Sequence, residues 1–162
     1  PPPPIFFFNL TTAYAMLRSL VGSEMCIRDS SDSTRTFALG KISTEAEKVF
    51  DIVKESQEIG LGAVKPKVRC KTIDDACRKV INESGYGKYF IHSTGHGIGL
   101  DVHELPTIST RSTTKLQNNM AITVEPGIYI ENKFGVRIED SLIVKNKRPI
   151  VMHKFTKELV TL

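Results

Sequence analysis

Apolar residues recur with two different periods along this chain, and the period changes near Gly85. Upstream, Ala46, Val49, Phe50 and Val53 fall on one helical face. Thr44 and Glu47 form a T-x-x-E capping box ahead of them. The pattern predicts a helix from Thr44 that ends near Gly60 or Gly62. Pro66 interrupts, and Thr72 and Asp75 mark a second start. Ile73, Ala76, Cys77, Val80 and Ile81 then make a second apolar stripe, which Gly85 stops. Before both helices, TRTFAL (34–39) reads as a strand ending at Gly40. Downstream the period is two. MAITVEP (120–126) alternates, GIYIE (127–131) stays extended, NKFG (132–135) signals a turn, and VRIEDSLIV (136–144) alternates again. KNKRP (145–149) turns before IVMH, and ELVTL closes the chain. Helices followed by turn-linked strands predict an α+β fold: two helices and a curved antiparallel sheet.

Residues 1–30 break this consistency. Four prolines lead into three phenylalanines with no clean period. SLVGSEMCIRDS also resembles a translated sequencing adaptor. The expectation is two segments: 1–30, non-native or disordered, and 31–162, the folded part.

Composition narrows the class. The 162 residues are 40% hydrophobic and 25% charged, enough for one soluble domain with a core. The net charge of +4 is mild, and its lysines and arginines are dispersed, which argues against nucleic acid. The densest basic stretch, VKPKVRCK (64–71), reads as a solvated loop before a helix. Cys26, Cys70 and Cys77 are odd in number and lack zinc spacing, so a reducing, cytoplasmic setting is expected. Cys77, on the second stripe, reads as a core residue. No apolar run is long enough to span a bilayer, so no membrane partner is expected.

Candidate chemistry gathers in three stretches: HSTGHGIGLDVHE (92–104), ITVEPGIYI (122–130) and GVRIED (135–140). In ITVEP, Thr123 and Glu125 share a face; in VRIED, Arg137 and Glu139 do. Neighbouring strands would bring Glu125 and Glu139 together, where two carboxylates repel unless a proton or cation intervenes. A plain solvated face would look the same. His92, His96 and His103 tip the balance towards a metal or catalytic site, in a glycine-rich loop that can approach a ligand closely.

With SDSTRTF, these motifs closely resemble the metallopeptidases of the pita-bread fold, the M24 family. They look most like its Xaa-Pro branch of aminopeptidase P and Xaa-Pro dipeptidase. The resemblance covers 31–162, the C-terminal part of the catalytic domain. It implies a hydrolase that cleaves peptides with proline after the scissile bond, using a metal-activated hydroxide. It also implies a homo-oligomeric parent and two divalent ions, Mn²⁺ foremost, with Co²⁺ or Zn²⁺ as alternatives. By the same resemblance Asp32, His96, Glu125 and Glu139 match metal ligands, with Glu125 also a proton shuttle. His92 and His103 match substrate and transition-state histidines, and Tyr129 and Arg137 supporting positions. The family's first metal aspartate would fall at Val21, and Asp29 is poorly placed to replace it. The chain alone is therefore expected to be a weakly active or inactive fragment. Methionine aminopeptidase and a non-catalytic pita-bread binding module are the alternatives.

Overall fold

The computed structural model describes residues 18–19, 32–101 and 103–162. The proposed non-native segment, with Cys26, Val21 and Asp29, lies outside the described residues except for Arg18–Ser19. That pair forms β1, antiparallel to β2 (Thr36–Ala38).

Two helices follow. In α1 (Thr44–Ala63) the N-cap is Ser43, whose side chain accepts from the Ala46 amide. The cap thus sits one residue before the predicted box, because Ser43 has the extended backbone a cap needs. The helix also runs through Gly60 and Gly62. Gly60 is a packing glycine: a Cβ there would lie 2.4 Å from Cys77 Sγ on the next helix. That helix, α2 (Cys70–Glu83), starts two residues before Thr72 and has no side-chain cap. Gly85 ends it as expected, with φ of 85°. Ser56 and Cys77 lock the two helices, Oγ to carbonyl at 3.0 Å and Sγ to carbonyl at 3.4 Å. Cys77 is fully buried, and burial pushes its thiol up to about 12. It is a core residue, as its place on the stripe implied.

The strands are β3 (Gly95–Gly97), β4 (Glu104–Ile108), β5 (Ala121–Val124), β6 (Gly127–Ile130), β7 (Phe134–Arg137), β8 (Asp140–Ile143), β9 (Ile150–Val151) and β10 (Val160–Thr161). An antiparallel sheet runs β4-β3-β5-β8-β9, and β6 pairs with β7. One pairing departs from the antiparallel expectation: β10 lies parallel to β2. The turn after β6 covers 131–133, where Asn132 takes a φ of 58° that asparagine tolerates.

The alternating run 136–144 is two strands, not one. Arg137 ends β7 and Asp140 begins β8. Between them Glu139 leaves the ladder and exchanges backbone hydrogen bonds with Thr34, at 3.1 and 3.4 Å. Opposite, Pro126 has no N–H to give. The register is nevertheless continuous. Val124 faces Asp140 and Gly127 faces Arg137, so the gap places Glu125 opposite Glu139. The core lies between helices and sheet, with Ile73, Ile81, Ile122, Ile128, Val136, Ile138 and Leu142 fully buried. Each such side chain contributes about 1.5–3 kcal/mol of burial. No helix among the described residues is long and apolar enough to cross a membrane.

Candidate functional site

The histidine segment is partly a strand rather than a loop. Its glycines serve close strand approach. A Cβ on Gly95 would lie 2.1 Å from the Thr123 carbonyl oxygen, and one on Gly97 2.3 Å from that of Leu105. His96 rides on β3 between them, 6% exposed. Its Nδ1 lies 2.9 Å from Gly97 O. A carbonyl only accepts, so Nδ1 carries the hydrogen and Nε2 points to the other side. There Nε2 meets Asp32 Oδ2 and Glu125 Oε1, each at 3.4 Å. Asp32, His96 and Glu139 bring one ligand atom each within 4.8 Å of one another. The Asp32 segment, β3 and the hairpin that holds Glu125 and Glu139 thus meet at one site.

Small hydroxyls tie these groups down. Thr123 Oγ1 accepts from the His96 amide at 3.0 Å and donates to Glu125 at 3.3 Å. Thr34 Oγ1 donates to Glu139 and accepts from Arg137 Nε at 3.0 Å. Thr123 is fully buried and Glu139 is 2% exposed, so this face is not a solvated one.

The electrostatics follow from crowding. Burial pushes Glu139 up to about 8, with help from the charges of Glu125 and Asp32. Glu125 is raised mainly by burial, against the pull of His96 and Arg137. Burial works against the His96 cation, yet Asp32, Gly97 and Glu125 together carry it up to about 9. Asp32 is lowered, chiefly by its hydrogen bond with His96. Without a cation, His96 and Glu139 therefore hold protons near neutral pH while Asp32 stays ionised. Three carboxylates around one imidazole lone pair are a donor set suited to a divalent ion.

A cleft of about 690 Å³ opens over this cluster. His92, His103, Tyr129 and Arg137 all line it, with His96 and Glu125 at its floor. His92 uses both nitrogens within the chain: Nδ1 to Ser93 O at 2.8 Å and Nε2 to Tyr129 OH at 3.0 Å. Nδ1 faces a carbonyl, so Nε2 accepts from the phenol, and burial lowers the His92 pKa in keeping with that neutral form. His103 is exposed, its ring edge-on to His96 at 4.5 Å.

Residues 23–146 match metallopeptidase family M24. The chain belongs to this family. An Xaa-Pro dipeptidase from Pyrococcus furiosus is 43% identical over 131 residues, 81% of this chain and 38% of that protein. The structure of an Xaa-Pro dipeptidase from Bacillus anthracis superposes with a TM-score of 0.80 at 48% identity, over 82% of this chain and 37% of that one. An X-Pro aminopeptidase from Thermotoga maritima gives 0.78 at 42% identity, over 82% and 38%. The chain therefore spans well under half the length of these relatives, and its fold is a partial pita-bread fold.

Three supports of this candidate site, Asp140, Asp74 and His153, went unread in the sequence. Asp140, fully buried beside Glu139, accepts from Arg35 Nη2 at 2.6 Å, Lys157 Nζ at 2.7 Å and Gln57 Nε2 at 3.0 Å. Arg35 also donates to the Thr34 carbonyl at 2.9 Å and the Glu139 carbonyl at 2.6 Å. The second is Asp74, fully buried on α2, with Arg78 one turn later at 2.8 Å. Its signal was an acid set beside Ile73 on an otherwise apolar face. His153, absent from the sequence motifs, lies with Nε2 3.0 Å from Asp32 O, and Ser141 accepts from the Asp32 amide at 3.2 Å.

Proposed function

We propose that this chain is part of the catalytic domain of a peptidase that cuts peptides with proline after the scissile bond. One observation carries the reading. His96 has committed Nδ1 to a carbonyl and aims Nε2 at two carboxylates, an arrangement that needs a proton or a cation between them. Asp32, His96, Glu125 and Glu139 would hold the divalent ions. Oxygen donors with one imidazole fit Mn²⁺, Co²⁺ or Zn²⁺, with Mn²⁺ our choice. Two such ions, when bound, supply Lewis acidity that makes water acidic enough to act near neutral pH.

The remaining steps belong to side chains. Glu125, at the cleft floor, takes the proton released by the attacking water and passes it to the leaving nitrogen. His103, exposed at the cleft wall, reaches the scissile carbonyl and its developing charge. His92 holds the Tyr129 hydroxyl in place, and Arg137 holds Glu139 through Thr34. The exposed Ile91 and Leu105 flank the cleft and offer an apolar wall for a proline ring. The names of the Pyrococcus, Bacillus and Thermotoga relatives support that substrate class. We expect the 162-residue chain itself to turn over weakly or not at all, and residues 1–30 to add nothing to it.

Two measurements test the reading. Calorimetric titration with Mn²⁺ should show binding that His96→Ala abolishes; heat unchanged by that substitution would sink the metal centre. Ala-Pro and Met-Ala peptides offered to a protein carrying this domain at full length should separate the substrates, with Ala-Pro cleaved. Preference for Met-Ala would move the assignment to a methionine aminopeptidase.

A further inference from the structure

Behind the cleft, α2 turns a charged pair towards the segment that carries His92. Asp74 Oδ1 accepts from the Thr94 hydroxyl at 2.8 Å and the Thr94 amide at 3.3 Å. Asp74 Oδ2 accepts from Arg78 Nε at 2.8 Å. The rest of the Arg78 fork donates forwards, Nη1 to Phe90 O at 3.0 Å and Nη2 to His92 O. Its guanidinium also stacks 4.1 Å over the Phe90 ring, which meets the His92 ring edge-on at 5.1 Å. Thr94 passes the restraint on: its carbonyl accepts from the Glu125 amide at 2.7 Å.

We propose that the Asp74–Arg78 pair is a positioning device that lets helix α2 set the place of His92 and, through Thr94, of Glu125. The inference rests on the peptidase reading, in which Glu125 moves the proton and His92 holds the Tyr129 hydroxyl at the cleft. Three features separate it from plain structural support. Burying a carboxylate and a guanidinium costs desolvation that an apolar pair of similar volume avoids. Every donor and acceptor of the pair outside α2 is spent on residues 90–94, around one site histidine. The planar fork is also essential, because it serves a carboxylate and two carbonyls in fixed directions, which an ammonium does not.

The test is spectroscopic and needs no bound metal. The chain has four histidines, so a carbon–proton correlation spectrum of their rings is simple to assign with single His→Gln variants. Only His92 lies edge-on to both Phe90 and Tyr129, and its ring protons carry that ring-current shift. Arg78→Lys keeps a cation beside Asp74 but gives up the fork. In it the His92 signals should move towards the values of an unstructured histidine and broaden, while those of His153 stay in place. Asp74→Asn should do the same, and Lys79→Ala on the exposed side of α2 should move none. Unmoved His92 signals in a folded Arg78→Lys chain overturn the proposal. So do equal shifts of all four histidines, or unfolding by both substitutions, since either marks general support. Failure to bind Mn²⁺ would sink the peptidase reading and leave these spectra unaffected.

Discussion

One methyl group at residue 95 should cost the chain a large part of its stability. A Cβ added to Gly95 would lie 2.1 Å from Thr123 O and 2.8 Å from the carbonyl carbon. Even a close carbon–oxygen contact sits at about 3.3 Å, so β3 and β5 must part by about 1 Å. Both sides are backbone, and no rotamer relieves the clash. Parting strains the 3.0 Å bond from the His96 amide to Thr123 and the 2.7 Å bond from the Glu125 amide to Thr94. Overpacking costs about 2 kcal/mol, and losing one of these two hydrogen bonds adds about 1 kcal/mol, so Gly95→Ala should cost about 3 kcal/mol. Gly62 makes the control, exposed on α1 with nothing within 4 Å of its would-be Cβ. Gly62→Ala should gain about 0.5–1 kcal/mol, the ordinary helical preference. Urea denaturation followed by circular dichroism reads both. With a slope of about 1.5–2 kcal/mol per molar urea, Gly95→Ala should drop the midpoint by about 2 M and Gly62→Ala should raise it by about 0.4 M. A Gly95→Ala midpoint equal to that of the parent chain would refute the close-approach account of β3.

Raising the pH from about 6 to 9 should lower the melting temperature of the metal-free chain. Folded Glu139 and His96 keep protons to about 8 and 9, while their ordinary values are 4.5 and 6.5, so the folded state binds more protons and loses stability as pH rises. Saturating Mn²⁺ should reverse that slope in the same scans, because the proposed ligands would bind deprotonated. Ser43→Ala should cost about 1 kcal/mol and Thr44→Ala less than about 0.5 kcal/mol, measured by thermal melts, since only Ser43 caps α1. Asp140→Ala strands Arg35 and Lys157, whose side chains are only 10% and 22% exposed. The urea midpoint should report a loss of about 3 kcal/mol.

The elements were largely legible because their periods were clean. The stripe from Ala46 to Val53 and the alternation in MAITVEP each point to one geometry. Boundaries were harder. Ser43 and Thr44 are both good caps, and only the backbone angle of Ser43 decides between them. Gly60 looked like a stop and is instead a contact with Cys77, a partner invisible to local pattern. The break at Ile138–Glu139 escaped notice because alternation continues through it; what ends the ladder is Pro126 across the register and Thr34 from far upstream. The candidate ligands were readable from their motifs, whereas their supports were not. Arg78, Arg35, Lys157 and His153 are ordinary surface types in sequence, and only the fold turns them inwards or towards Asp32; Asp74 alone carried a hint, beside Ile73 on the apolar face.

The hairpin that carries Glu125 and Glu139 has a consequence for the order in which the protein assembles. Its two halves are neighbours in the chain and share one register, so closing it costs little loop entropy. Asp32 must instead be gathered from 109 residues away to reach Ser141. Contacts of such different span form at different times. The two glutamates should face each other early, mutually repelling, and the Asp32 segment should arrive late, against Ser141 and His153. Pulsed hydrogen exchange during refolding should show amides of 127–137 protected before that of Asp32. A divalent ion present from the start would then act as a chaperone of the hairpin, quenching its repulsion before Asp32, the last of the proposed ligands, has docked.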